Sequence, residues 1–297
     1  MLDGGTGREL LRIGAPFGQP EWSARALMQA PQFVTRVHEA FVAAGAEVIT
    51  TNSYAVVPFH LGQARFTAEG PALAALSGQL ARAVAAAAPR AVAVAACLPP
   101  PCGSYRADRF DAATARPILA TLIQALSPWV DLWLAETLSA QVEAELVREV
   151  LGADDKPLWL SFTLADEDGP AANLRLRSGE PVAEAVATAA RLGAAAVLFN
   201  CSRPEVMGAA VSEAARVLGP QAGAAHAVRI GVYANAFVPM DPLIEANSGL
   251  SDLRGDVTPQ AYLQWARDWV ARGAQIVGGC CGVGPEYIAA LRSLNAP

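Results

Sequence analysis

Charge is scarce in this 297-residue chain: Asp, Glu, Lys and Arg make up 17% of it, and no run of Lys or Arg occurs. With a net charge of −6, the chain lacks the basic surface that neutralising phosphates requires, which argues against nucleic acid as a partner. Cysteine is also scarce, at five. An odd count with two adjacent members, Cys280 and Cys281, is no disulfide framework. It fits thiols kept for chemistry or metal in a reducing cytoplasm. There are three histidines; His38 falls in a helical pattern and His60 and His226 in loops, so none is an obvious metal ligand. Long apolar runs are missing as well. The most apolar stretch, 80–102, is broken by Arg82, Arg90 and several prolines, short of the roughly 18 to 20 residues a membrane span needs. Met1 and Leu2 lead straight into Asp3-Gly4-Gly5, with neither a basic region nor an apolar signal core. The expectation is a soluble cytoplasmic protein with no membrane or nucleic-acid partner.

What the chain does have is apolar residues, 53% of the total. Short β-rich runs alternate with Ala-rich helical stretches to the end. The first strand is a remnant ending at Leu2; others are read at 45–51, 91–96, 130–136, 157–164, 194–200, 229–235 and 274–279. Helices are read at 31–44, 71–88, 112–126, 139–151, 181–192, from Pro204, 258–272 and 284–294. Ser139 suits an N-cap with Glu143 in the first turn. Thr258-Pro259 suits a cap and first position, and Gly193 and Gly273 suit C-terminal stops.

Eight strand–helix units with near-continuous apolar strands imply a parallel sheet covered by helices. The expected fold is α/β, a single (β/α)8 TIM-type barrel of eight parallel strands, one domain over 1–297. An open doubly wound sheet is the alternative. The glycines of DGGTG at 3–7 lack both the spacing of a dinucleotide site and the Lys-Ser/Thr of a P-loop. Three long segments, 98–111, 165–180 and 236–257, follow strand ends, where barrel enzymes carry active-site loops.

Those strand ends carry Asp3, Asn52, Cys97, Glu136, Thr163, Cys201, Asn235 and the pair Cys280-Cys281. Cys201, Cys280 and Cys281 are the most specific subset. Strands six and eight share parity, so their inward ends meet in one layer of the barrel mouth. Gly278, Gly279 and Gly282 let the backbone bend both neighbouring sulfurs toward one centre. Three thiolates with a fourth position open make a catalytic zinc arrangement; three unrelated core cysteines are the plainer alternative. Cys97 and Cys102 have half-site spacing, but the prolines between them are stiff.

LDGGTGREL at 2–10, AGAEVITTNSY at 44–54, LAET around Glu136, SFT at 161–163, NCS at 200–202 and GGCCG at 278–282 together resemble the homocysteine S-methyltransferases. That family includes betaine-, S-methylmethionine- and cobalamin-dependent members. The resemblance implies that Cys201, Cys280 and Cys281 bind Zn2+ and that Asp3 and Glu136 hold the amino group of homocysteine. It makes backbone amides near Gly4, Gly5 and Asn52 candidates for the carboxylate, and puts Tyr54 and Asn235 near the pocket.

Methyl transfer needs a thiolate, and a free thiol with a pKa of about 8.5 is mostly protonated at neutral pH. The implied partners are small molecules: homocysteine and a sulfonium donor, S-methylmethionine or S-adenosylmethionine, with Tyr54, Tyr105 and Phe237 as cation–π candidates. A related thiol or selenol acceptor such as selenocysteine, a non-catalytic zinc-barrel binding module and a dithiol redox protein are the alternatives. The sequence departs from the family after strand three (ACLPPPCGSYRAD) and after strand seven (YANAFVPM), both donor-side loops. Only two residues precede Asp3, so either a stub closes the barrel or the native start lies upstream.

Overall fold

Strands without polar alternation are buried on both faces. In the computed structural model, which describes residues 1–166, 174–219, 227–238 and 251–295, such strands form one parallel sheet in chain order. They are β1 (Val48–Thr50), β2 (Ala93–Leu98), β3 (Leu132–Leu138), β4 (Leu158–Phe162), β5 (Ala196–Asn200), β6 (Arg229–Tyr233) and β7 (Ile276–Val277). The helices around them are α1 (Thr6–Arg12), α2 (Ala24–Gln29), α3 (Pro31–Ala44), α4 (Pro58–Leu61), α5 (Gln63–Ala87) and α6 (Ala112–Leu126). They continue with α7 (Gln141–Leu151), α8 (Val182–Arg191), α9 (Pro204–Leu218), α10 (Pro259–Ala271) and α11 (Pro285–Leu291).

The described residues hold seven strands, where eight were expected. The place of the first is taken by one bridging residue, Leu2, opposite Val48. Val48 donates to the Met1 carbonyl at 3.1 Å and Asp3 to the Val48 carbonyl at 3.0 Å, while Leu2 donates to Val277 at 2.9 Å. Both edges of the sheet thus bond to the same three residues, which curls it into a TIM-like barrel.

Three local expectations are corrected. Pro71 lies inside α5, which begins at Gln63. His60 lies in the short α4 and not in a loop. Ser139 is not the cap of α7: Glu143 reaches back to accept from the Ser139 and Ala140 amides, and the buried Ser139 hydroxyl has no partner. The remaining punctuation agrees. Gly193 and Gly273 adopt φ of 71° and 117°, and the Thr258 hydroxyl accepts from the Ala261 amide at 3.2 Å. His226 and parts of the segments 165–180 and 236–257 lie outside the described residues. No helix among the described residues is long and apolar enough to cross a membrane.

Strand alternation divides the core in two. One cluster, with Leu2, Ala95, Leu134, Trp159, Leu198 and Tyr233, fills the barrel interior. The other, with Val94, Trp133, Leu160, Phe199 and Val232, packs under the helices. Carrying the inward parity toward the C-terminal strand ends brings Thr50, Cys97, Glu136, Ser161 and Asn200 inward above the apolar layer.

Candidate active site

Glycines bring the two ends of the chain together at the barrel mouth. A Cβ on Gly5 would stand 2.4 Å from the Cys280 carbonyl oxygen, and one on Gly279 would stand 2.1 Å from Val283. With hydrogen there instead, Gly5 donates to Val283 and Gly279 to Asp3, each at 2.9 Å. The DGG segment and the GGCCG segment therefore interlock. The close approach excludes every larger residue.

Cys201 enters from the end of β5, two strands from β7, by a different device. Parity turns Asn200 inward and would turn Cys201 toward the helices. Cys201 adopts φ 53°, a left-handed conformation costly for a side chain other than glycine, and this redirects its sulfur. Among the described residues the other non-glycine residues with positive φ are Trp22, Tyr105 and Thr137, and all four line one cavity of about 210 Å3 at the mouth. Asn200 holds the turn. Its Oδ1 accepts from the Thr137 amide at 2.9 Å and from Ser161 at 2.8 Å, while its Nδ2 donates to Thr137 Oγ1 at 2.9 Å.

The Cys201 sulfur lies 2.9 Å from that of Cys280 and 3.6 Å from that of Cys281, and all five cysteines are free. Sulfurs about 2.3 Å from a tetrahedral zinc stand about 3.8 Å apart, so the trio fits the ion after a small widening of the Cys201–Cys280 pair. Among the described residues, no further His, Cys, Asp or Glu joins this group. Three soft donors bordering a cavity suit a catalytic site, since structural sites are closed by four protein ligands. Hydrogen bonds from the Cys280 and Cys281 thiols, with a smaller contribution from Tyr105, hold the Cys201 thiol well below its ordinary range. Donating to Cys201 pushes the Cys280 and Cys281 thiols up.

Across the cavity stand Asp3 and Glu136, 2% and 9% exposed. Asp3 accepts from the Thr50 amide at 2.7 Å and from its hydroxyl at 3.0 Å. Glu136 accepts from Tyr233 at 3.2 Å. Burial raises the carboxyl of Asp3 to about 8 against the Thr50 hydrogen bonds, and that of Glu136 to about 7 against a hydrogen bond from Cys97. Neither forms an ion pair among the described residues. Two buried acids without a cation make a receptor for one.

Gly4 and Asn52 also line the cavity. The Gly5 amide is taken by Val283, which leaves the Gly4 and Asn52 amides as the candidates for a carboxylate. The Asn52 side-chain amide is committed to the Ser23 carbonyl, to which it donates at 3.1 Å. Asn235 is not part of the lining; its Oδ1 accepts from the Phe237 amide at 3.3 Å. Cys97 lies beside Glu136 and Cys102 bonds to Asp111, so neither joins the sulfur trio. His38 is buried in α3 with no partner, and His60 borders the cavity bonded to the Pro20 carbonyl at 3.1 Å. Two of the aromatic candidates already carry a cation: Arg8 lies 5.4 Å over Phe237 and Arg177 4.8 Å over Tyr105.

Sequence reading assigned no role to Asn200, Tyr233, Thr137 or Arg8. Inward parity within each strand was the available signal for the first two. The left-handed turn at Thr137 carries no local signature.

The homocysteine S-methyltransferase family profile matches residues 1–294. The homocysteine S-methyltransferase of Escherichia coli is 30% identical over 318 residues, covering 99% of this chain and 94% of that protein. The selenocysteine Se-methyltransferase of Brassica oleracea var. italica is 26% identical, covering 98% and 87%. Among solved structures, the metallated form of the homocysteine methyltransferase MmuM from Escherichia coli superposes with a TM-score of 0.74 at 28% identity, covering 99% of this chain and 95% of that one. Its oxidized form superposes with a TM-score of 0.76 at 27% identity and the same coverage.

Proposed function

The chain belongs to the homocysteine S-methyltransferase family, and from that footing we propose that it transfers a methyl group from a sulfonium donor to the thiol of homocysteine, giving methionine. The donor is S-methylmethionine or S-adenosylmethionine, the resident metal is Zn2+, and the free cysteines suit a reducing cytoplasm. The observation that carries this reading is the pairing of three convergent sulfurs with two buried, cation-free carboxylates around one cavity.

Cys201, Cys280 and Cys281 would hold the zinc. Bound there, the ion would supply the acidity that favours the substrate thiolate near neutral pH, and three cysteine ligands would keep the centre electron-rich. Asp3 and Glu136 receive the α-ammonium, and their own burial makes its arrival favourable. The Gly4 and Asn52 amides receive the carboxylate. Held at both ends, the amino acid presents its sulfur to the donor methyl, and such positioning can contribute roughly 7–11 kcal/mol. The donor S–CH3 bond breaks as the new S–CH3 bond forms, the donor leaves as a neutral thioether, and the thiol proton goes to solvent.

Selenocysteine carries the same ammonium and carboxylate, and the Brassica relative is named for that acceptor. The deciding assay supplies zinc-loaded protein with homocysteine or selenocysteine and, in parallel, S-methylmethionine, S-adenosylmethionine, betaine or methylcobalamin. Methionine from homocysteine and a sulfonium is the expected product; turnover with betaine alone overturns the donor assignment.

A further inference from the structure

Arg8 lines the reaction cavity without a task in the chemistry above. It lies in α1, half-buried, stacked over Phe237 and donating to the Ser251 carbonyl. Among the described residues that line the cavity it is the only Lys or Arg. The other basic group there, His60, is held neutral near pH 7 by burial, its pKa lowered to about 4. Among the described residues no carboxylate pairs with Arg8.

Stacked on Phe237 and bonded to one neutral carbonyl, the guanidinium carries a charge that no anion among the described residues neutralises. It also repels an approaching sulfonium. Both unfavourable effects reverse when the incoming molecule turns a carboxylate toward it, because the guanidinium fork matches that group. The acceptor does not require it. Asp3, Glu136 and the Gly4 and Asn52 amides occupy the buried end of the cavity, whereas Arg8 stands at the more exposed end, where α1 meets the segments carrying Phe237 and Ser251.

We propose that Arg8 recognises the carboxylate of the methyl donor and restricts donors to amino-acid sulfoniums, rejecting sulfoniums that lack an acid group. This rests on the site being a sulfonium-to-thiol methyltransferase. The test compares S-methylmethionine with its carboxamide, which keeps the sulfonium and removes the negative charge. The wild-type enzyme should favour the acid by about tenfold or more in kcat/KM, the ratio a charge-assisted hydrogen bond supports. In Arg8→Gln the acid should fall to the level of the amide through its KM, with the homocysteine KM moving less than about twofold. Arg8→Lys should keep part of the preference and gives a second measurement should Arg8→Gln fail to fold.

Equal use of acid and amide by the wild type, an unchanged ratio in the variants, or a rise confined to the homocysteine KM overturns the inference and leaves the methyltransferase reading standing. Wild-type protein that makes no methionine from any sulfonium removes both.

Discussion

The Tyr233 hydroxyl donates to Glu136 Oε2 across 3.2 Å, joining side chains 97 residues apart. Each points into the barrel by strand parity, so the contact follows from the curl of the sheet. The hydrogen bond favours the ionised carboxylate and works against burial. Tyr233→Phe removes it with little change in volume. Glu136 should then titrate about one unit higher, and the acid limb of kcat/KM for homocysteine should move up in pH by the same amount. An unmoved pH profile would show that Glu136 ionisation does not limit acceptor binding.

Folding raises Asp3 and Glu136 from ordinary carboxyl values near 4 to about 8 and about 7. Between those limits the folded protein holds more protons than the unfolded chain, so this part of the stability falls as pH rises. Asp3→Asn should raise the Tm at pH 8, by about 2–4 °C per kcal/mol recovered, and give no such gain at pH 4. The same variant should lose homocysteine affinity. Thermal melts at the two pH values, with homocysteine titrations, check both halves; a lower Tm at pH 8 would contradict the assignment.

Cys201→Ser should reduce zinc from about one per chain toward none and lower activity beyond the roughly 10- to 100-fold cost of losing an outer-shell partner. Elemental analysis and the methionine assay should move together. Full zinc retention with lost turnover would mean that Cys201 acts other than as a ligand.

Gly5→Ala places a methyl group 2.4 Å from the Cys280 carbonyl oxygen. The segment carrying two of the sulfurs must shift, so about 1–3 kcal/mol of stability and part of the zinc affinity should be lost together. Gly255→Ala, which meets nothing within 4 Å, is the control and should leave both unchanged. Chemical denaturation and a zinc competition titration supply the comparison.

The cysteine cluster was legible from the chain because NCS and GGCCG are local strings, and so was the position of two acids at strand ends. Strand order was legible because hydrophobic period and turn residues are short-range properties. The length of α5 was not, since Pro71 looks locally like a first-turn residue while the residues before it complete the helix.

Side-chain alternation, capping glycines and the spacing of the DGG, NCS and GGCCG strings are written in neighbouring residues, and these established the strand ends, the sulfur trio and the two acids. Closure of the sheet decided the rest. It put Leu2 between both edges, turned Cys201 inward through a left-handed backbone that Asn200 supports, brought Tyr233 onto Glu136 and set Arg8 at the cavity's open end. The physical reason is distance along the chain: these contacts join residues tens to hundreds of positions apart, and no local pattern encodes a geometry that exists only after the strands have paired.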